Sequence, residues 1–196
     1  MDMNKISYAL GLSLGNNLKS SGVKSLVYER LSQAIQDVLE DRPLAMTAEE
    51  AQGELDAFFR DLQASLSRQA KEEGEAFLAE NAKRPEVVTL PSGLQYEVLV
   101  AGKGALPTAS DTVKVHYHGS FISGAVFDSS LRRGEPATFG VTQVIKGWVE
   151  ALQLMPLGSK WKLFIPSDLA YGAQGAGASI PPHSALIFEV ELLEII

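Results

Sequence analysis

Cysteine is missing from all 196 residues, which removes disulfides, thiolate nucleophiles and cysteine-ligated metals together. The same absence leaves the compartment open, because a chain without thiols tolerates any redox setting. Positive charge is scarce: 17 Lys and Arg stand against 24 Asp and Glu, for a net charge of −7. No basic tract is present to displace counterions from phosphate, so nucleic acid is not expected as a partner. No apolar run approaches the roughly 18 residues of a membrane span, and no membrane partner is expected. The opening stretch MDMNKISYALGLSLG carries an acid at Asp2 and lacks a basic region followed by an unbroken apolar core. It does not read as a secretory leader, and the expected location is the cytoplasm.

Nucleotide and hydrolase motifs are absent too. Gly102-Lys103-Gly104 lacks the spacing and Ser/Thr ending of a phosphate loop, the glycines of 172–177 precede Pro181-Pro182 instead of a helix, and no Gly-x-Ser-x-Gly elbow occurs. Of the three histidines, His116 and His118 lie two apart on one face of a strand beside Lys114, and His183 is far off in the chain. With no cysteine and no third ligand nearby, neither metal nor cofactor is expected.

What the chain does have is apolar residues in two different grammars. Hydrophobic residues make up 45% and charged ones 21%, enough for a proper core. From Thr47 to Lys83, Ala51, Leu55, Phe58, Leu62 and Leu66 recur at steps of three and four, the one-faced period of an α-helix. Thr47 is a candidate cap, with Glu49 and Glu50 in the first turn. At about 1.5 Å per residue this helix reaches about 55 Å, longer than a small domain is wide. It reads as a spacer, with its second half, past Leu66, largely solvated. Before it, Asn4 to Lys19 and Ser25 to Asp41 carry helical stripes, Ile6-Leu10-Leu14-Leu18 and Val27-Leu31-Ala34-Ile35-Val38. Two short amphipathic helices cannot close a core alone. They need either the long helix, as an intramolecular bundle, or a second copy of the chain, and the second copy buries more apolar surface.

After Pro85 the period changes from 3.6 to 2. Residues 87–90, 94–100, 112–122, 137–141, 160–165 and 185–195 read as strands between Gly and Pro turns, interrupted by one short helix near 145–152. The fold class is α+β: all-α N-terminal helices over 1–44, a connecting helix over 45–86, and an antiparallel sheet wrapped on a short helix over 87–196. Aromatic and aliphatic side chains gather near the turns of this last part: Tyr117, Phe127, Phe139, Val144, Ile145, Trp148, Tyr171 and Phe188, with Asp128 and Arg133 the charges among them. Trp148 on the short helix, Tyr171 at the head of a glycine-rich loop and Phe127-Asp128 at a strand end are placed to edge a cavity.

Four blocks, Val115-His116-Tyr117-His118-Gly119, Val126-Phe127-Asp128-Ser129-Ser130, Gln143-Val144-Ile145-Lys146-Gly147-Trp148, and Ala170-Tyr171-Gly172-Ala173 through Ile180 to Phe188, resemble the FKBP-type peptidyl-prolyl cis-trans isomerases in order and spacing. Ser7-Tyr8-Ala9-Leu10-Gly11, the long helix and Leu90-Pro91-Ser92-Gly93-Leu94-Gln95-Tyr96 look like the macrophage infectivity potentiator (Mip)-like branch. The resemblance covers almost the whole chain and implies an FKBP-like fold and rotamase activity on X-Pro bonds of folding protein chains. It also implies a homodimer joined through residues 1–44 that helps hold its clients in the manner of a chaperone. As catalytic residues it implies Asp128, Tyr171, Trp148 and Phe127. As substrate-binding residues it implies Tyr117, Arg133, Phe139, Val144, Ile145, Ile180 and Phe188, with the Ile145 N–H and the Tyr171 hydroxyl as donors to ligand carbonyls. Tacrolimus- or rapamycin-type macrolides are implied as further ligands. Two departures from the small members, Ala137 in place of an aromatic and a slender loop tip at Gly175-Ala176-Gly177-Ala178, predict a smaller rim and altered macrolide affinity. The competing expectation is a holdase whose pocket merely binds.

Overall fold

The computed structural model describes residues 2–177 and 179–196; Ala178, one of the four loop-tip residues named above, lies outside them. The chain divides into two compact units, residues 1–66 and 67–196.

The first unit holds α1 (Met3–Ser20), α2 (Tyr28–Leu39) and the front of α3 (Ala48–Asn81). Asp2 caps α1, its carboxylate accepting the N–H of Asn4 at 3.1 Å and of Lys5 at 3.4 Å. Helix α2 is shorter than its stripe suggests. Val27 takes the cap position in extended backbone, and Asp41, at φ 52°, is left-handed and cannot continue a helix. Helix α3 opens on a reciprocal capping box: Glu50 N–H donates to Thr47 Oγ1 at 3.2 Å, and Thr47 N–H donates to Glu50 Oε2 at 2.7 Å. Gly22 takes φ 86°, and a Cβ there would meet Leu66 Cδ1 at 2.9 Å, so the turn after α1 requires glycine. Among the described residues, none in 2–66 is buried, and Leu10, Tyr28, Val38 and Leu39 are each more than three-fifths exposed. An intramolecular bundle in which this unit closes its own core is therefore not what a single chain forms.

The second unit carries β1 (Val87–Thr89), β2 (Gln95–Val100), β3 (Thr112–Phe121), β4 (Val126–Ser129), the one-turn α4 (Ser130–Arg133), β5 (Ala137–Gly140), α5 (Lys146–Leu152), β6 (Lys160–Ile165) and β7 (Leu186–Ile195). The strands form one antiparallel sheet in the order β1-β2-β6-β7-β3-β4, with β5 paired to the start of β3. Strand β4 is not among the six ranges read as strands from sequence, although Phe127-Asp128 is read there as a strand end; its four residues run directly into the helical turn at Ser130. Paired residues share a face, so Tyr117, Val190 and Trp161 line up across three strands, and Leu163 with Phe188 beside them. Against that face lies α5, through Trp148, Ala151 and Leu152, all buried.

The opposite face is not bare. The sequence leaves the second half of the long helix to solvent, yet a strip of it packs on the sheet. Gly74 approaches so closely that a Cβ would sit 3.0 Å from Ala185 Cβ, and Phe77 meets Phe164 at 6.1 Å between ring centroids. The strip ends in a buried polar pair, where Asn81 Nδ2 donates to Gln95 Oε1 at 2.8 Å and Gln95 Nε2 donates to the Leu78 carbonyl at 2.9 Å. Glycine and asparagine carry no hydrophobic signal, which is why periodicity overlooks this contact.

Candidate active site

The hollow over α5 begins with a close approach. Gly147 brings the helix down on β6 so tightly that a Cβ would lie 2.6 Å from Ile165 Cγ2. That seats the next residue, Trp148, as a floor only 4% exposed. Three rings meet the indole edge to face: Tyr117 at 5.5 Å, Phe139 at 5.9 Å and Phe188 at 5.3 Å between centroids. Edge-on contact of this kind is favoured by ring quadrupoles and holds the walls upright. Gly119 makes a second close approach, since a Cβ there would stand 2.8 Å from the rings of both Phe127 and Phe188. Val144, Ile145 and Gln143 form another side, Tyr171 stands 39% exposed at the rim, and the open hollow has a volume of about 420 Å³. Among the described residues, Trp148 Nε1 is buried without an acceptor.

One charged cluster stands in this apolar wall. The Tyr117 hydroxyl donates to Asp128 Oδ2 at 2.5 Å, Arg133 donates to Asp128 Oδ1, and the Ser129 N–H donates to the same oxygen at 2.8 Å. Arg133 also donates to the Tyr117 hydroxyl at 2.8 Å, its guanidinium 5.4 Å from the ring centroid. Partial burial alone raises the Asp128 carboxyl; the Tyr117 and Arg133 hydrogen bonds, the Arg133 charge and the Ser129 N–H outweigh it and hold the group below its ordinary range. The Tyr117 phenol is pushed up, first by burial and then by the carboxylate it bonds. At neutral pH the cluster is a carboxylate, a neutral phenol and a guanidinium, all tied to one another.

Most residues expected at the site converge here, although they are scattered from position 117 to 188. Phe127 stands behind Phe188, 5.5 Å between centroids and edge-on. Arg133 reaches the cluster from outside the hollow, while Ile180 is buried in the core, where it closes the bridge to Ala176, and is not part of the lining. Gln143 lines the hollow and was not expected, although it opens one of the four sequence blocks. His116 and His118 face away, each 3.0–3.1 Å from a serine hydroxyl, Ser130 and Ser129 respectively. A hollow on the other face of the sheet, over Phe77, Arg84 and Phe164, is larger at about 600 Å³. It lacks the ring of aromatic edges around a held carboxylate.

The chain matches the family model described as FKBP-type peptidyl-prolyl cis-trans isomerase over residues 103–193, and the domain amino terminal to FKBP-type peptidyl-prolyl isomerase over residues 3–98. It belongs to the FKBP-type peptidyl-prolyl cis-trans isomerases. It is 49% identical over 197 residues to the FKBP-type 22 kDa peptidyl-prolyl cis-trans isomerase of Escherichia coli, covering 97% of this chain and 94% of that one. It is 45% identical over 201 residues to the outer membrane protein MIP of Legionella longbeachae, covering 99% and 86%. The crystal structure of FkpA from Escherichia coli superposes with a TM-score of 0.77 at 38% identity, over 100% of this chain and 97% of that one. The fold is therefore FKBP-like, of Mip and FkpA type, and the chain is a peptidyl-prolyl isomerase. Within this family the hollow over Trp148 is the candidate for the place where a proline ring turns.

Proposed function

We propose that a substrate proline ring lies on Trp148 inside the rings of Tyr117, Phe139 and Phe188, and that the site speeds rotation by binding the twisted imide better than the planar one. Rotation faces a barrier of about 18–20 kcal/mol because amide resonance is lost midway. No bond is made or broken, so differential binding is sufficient. As the C–N bond twists, the carbonyl gives up resonance charge and the nitrogen becomes pyramidal. A dry aromatic cavity penalises the polar planar form more than the twisted one. The Ile145 N–H and the Tyr171 hydroxyl donate to substrate carbonyls, fixing the chain on either side while the ring's partner turns. Asp128 is held ionised and immobile by Tyr117 and Arg133, and meets the imide at the wall. Phe127 buttresses Phe188, Val144 and Ile145 close the side, and Ile180, expected among the substrate-binding residues, supports the wall from the core.

The observation that carries this reading is one ionised carboxylate fixed in a wall of aromatic edges above a buried indole. A protease-coupled proline-peptide assay on the full chain tests it: Asp128→Ala and Trp148→Leu each lower kcat/KM by about tenfold or more. Unchanged rates in both variants overturn it.

Residues 1–44 are proposed to form a homodimer, 45–86 to connect and 87–196 to catalyse. Support comes from the absence of any buried residue in 2–66 of the single chain, despite exposed Leu10, Tyr28 and Phe58. Light scattering should return twice the 21.1 kDa chain mass. A monomer mass removes the proposal. The clients are protein chains whose X-Pro bonds, needing tens to hundreds of seconds to isomerise unaided, delay folding. Macrolides of tacrolimus or rapamycin type are proposed for the same hollow, read as inhibition in the peptide assay. For location the cytoplasm is kept as the proposal, while the Legionella relative's name points to the outer membrane; fractionation decides between them.

A further inference from the structure

The edge of β3 is paired twice, and the two partners do not meet. Strand β5 pairs Thr112 to Val115, and β4 pairs His118 to Ser120. Between them, the Tyr117 N–H and C=O point into a gap with no strand to answer them. One side chain closes it: the Tyr117 N–H donates to Ser130 Oγ at 2.7 Å, and Ser130 Oγ donates back to the Tyr117 carbonyl at 3.2 Å. Ser130 is 0% exposed. From the far face His116 Nδ1 stands 3.1 Å from the same hydroxyl. A hydroxyl has one proton and two lone pairs, so all three bonds form together only when His116 Nδ1 carries a proton and donates.

We infer that Ser130 is a positioning residue for the isomerase reaction, acting through Tyr117. Its hydroxyl stands in for the missing strand and fixes the backbone that carries the Tyr117 phenol. It lies two residues after Asp128 and three before Arg133, on the continuous β4–α4 segment that delivers both to that phenol. Ser129 adds the second anchor of this segment. Its buried hydroxyl caps α4 by accepting the Arg132 N–H at 3.3 Å, and it lies 3.0 Å from His118 Nδ1. The Ser-Ser pair therefore pins strand, turn and phenol in one register, while neither serine enters the hollow.

The inference rests on the proposed proline site, and a double-mutant cycle on the full chain separates the two. Ser130→Ala, Tyr117→Phe and the double variant are compared for kcat/KM in the peptide assay and for melting temperature. If Ser130 acts through the phenol, Ser130→Ala lowers kcat/KM about tenfold in the parent and less than about twofold once Tyr117 is Phe. The melting temperature falls in both backgrounds, because the Tyr117 backbone loses its partner either way. An equal loss of kcat/KM in both backgrounds means a merely structural serine and overturns the inference, as does an unchanged rate in a folded Ser130→Ala. If Tyr117→Phe alone leaves the rate untouched, the phenol carries nothing and the inference fails, while Asp128→Ala and Trp148→Leu decide the proline-site reading separately. Should Ser130→Ala not fold, Ser130→Cys, which keeps one heavy atom beyond Cβ as a weak donor and acceptor, runs the same cycle with the same criterion.

Discussion

The buried indole of Trp148 offers a test in which two opposing terms of similar size are worked from the structure. Replacing it with leucine forfeits edge contacts to Tyr117, Phe139 and Phe188 at 5.3 to 5.9 Å. Each such contact contributes about 0.5–1.5 kcal/mol beyond burial, so the loss is about 2–4 kcal/mol. Removing Nε1, a buried donor without an acceptor among the described residues, returns about 1–3 kcal/mol. The apolar burial and space given up on going from indole to leucine add about 2 kcal/mol, so the net cost of Trp148→Leu is about 2–4 kcal/mol, and Trp148→Phe, which keeps a ring, costs about 1–2 kcal/mol. Urea unfolding of the full chain reads this. Trp161, stacked on Tyr96 at 4.2 Å and 9°, remains as the fluorescent reporter of residues 67–196. Domains of ordinary stability, about 5–15 kcal/mol, survive such a loss, so the activity of folded Trp148→Leu is measurable on its own. A cost above about 3 kcal/mol for Trp148→Phe refutes the reasoning, because it would mean that the indole N–H has a partner worth keeping.

Asp128→Asn keeps the shape of the cluster and removes its charge; kcat/KM is expected to fall about tenfold, the difference between a charge-assisted and a neutral hydrogen bond. Its effect on stability stays under about 1 kcal/mol, since Arg133 and Asp128 are both more than two-fifths exposed and solvent screens the pair. The depressed carboxyl of Asp128 contributes stability that is complete above its unfolded value near pH 3.9 and is lost as pH falls through its lower folded value. Activity is therefore flat from neutral pH down to about pH 4, falls below that, and loses this acid limb in Asp128→Asn. A limb centred near pH 6 in the peptide assay would assign it to another group. Asn81→Ala strands the buried Gln95 Oε1 and costs about 1–3 kcal/mol in the same urea experiment. Asn81→Leu with Gln95→Leu is expected to come near neutral, because the Leu78 carbonyl still accepts the Ala82 N–H at 3.0 Å.

Much of the site was legible in the chain because four blocks carry it, and within each the neighbours in sequence are neighbours in space. Val144, Ile145 and Trp148 come from one such block, and Phe127 and Asp128 from another. The standing of Ile180 was not legible: its block supplies Phe188 to the hollow, while Ile180 itself is buried in the core cluster and bridges Ala176 without joining the lining. The range of strand β4 was not legible, since it runs directly into α4 at Ser130, and neither was its hydrogen-bonded company, Ser129 with His118 and Ser130 with His116, which carries no periodic signal.

Periodicity and composition alone determined the helical front, the long α3, the antiparallel sheet and the aromatic supply of its hollow, because each depends on which residue types recur at which interval. Only the tertiary structure decided that Gly74 and Asn81 press the end of α3 against the sheet, that Gly119 lets Phe127 and Phe188 cross, and that Ser130 closes the gap beside Tyr117. Those outcomes turn on a missing Cβ or a single hydroxyl meeting a distant backbone. Such contacts depend on the approach of segments far apart in the chain, which local pattern does not encode.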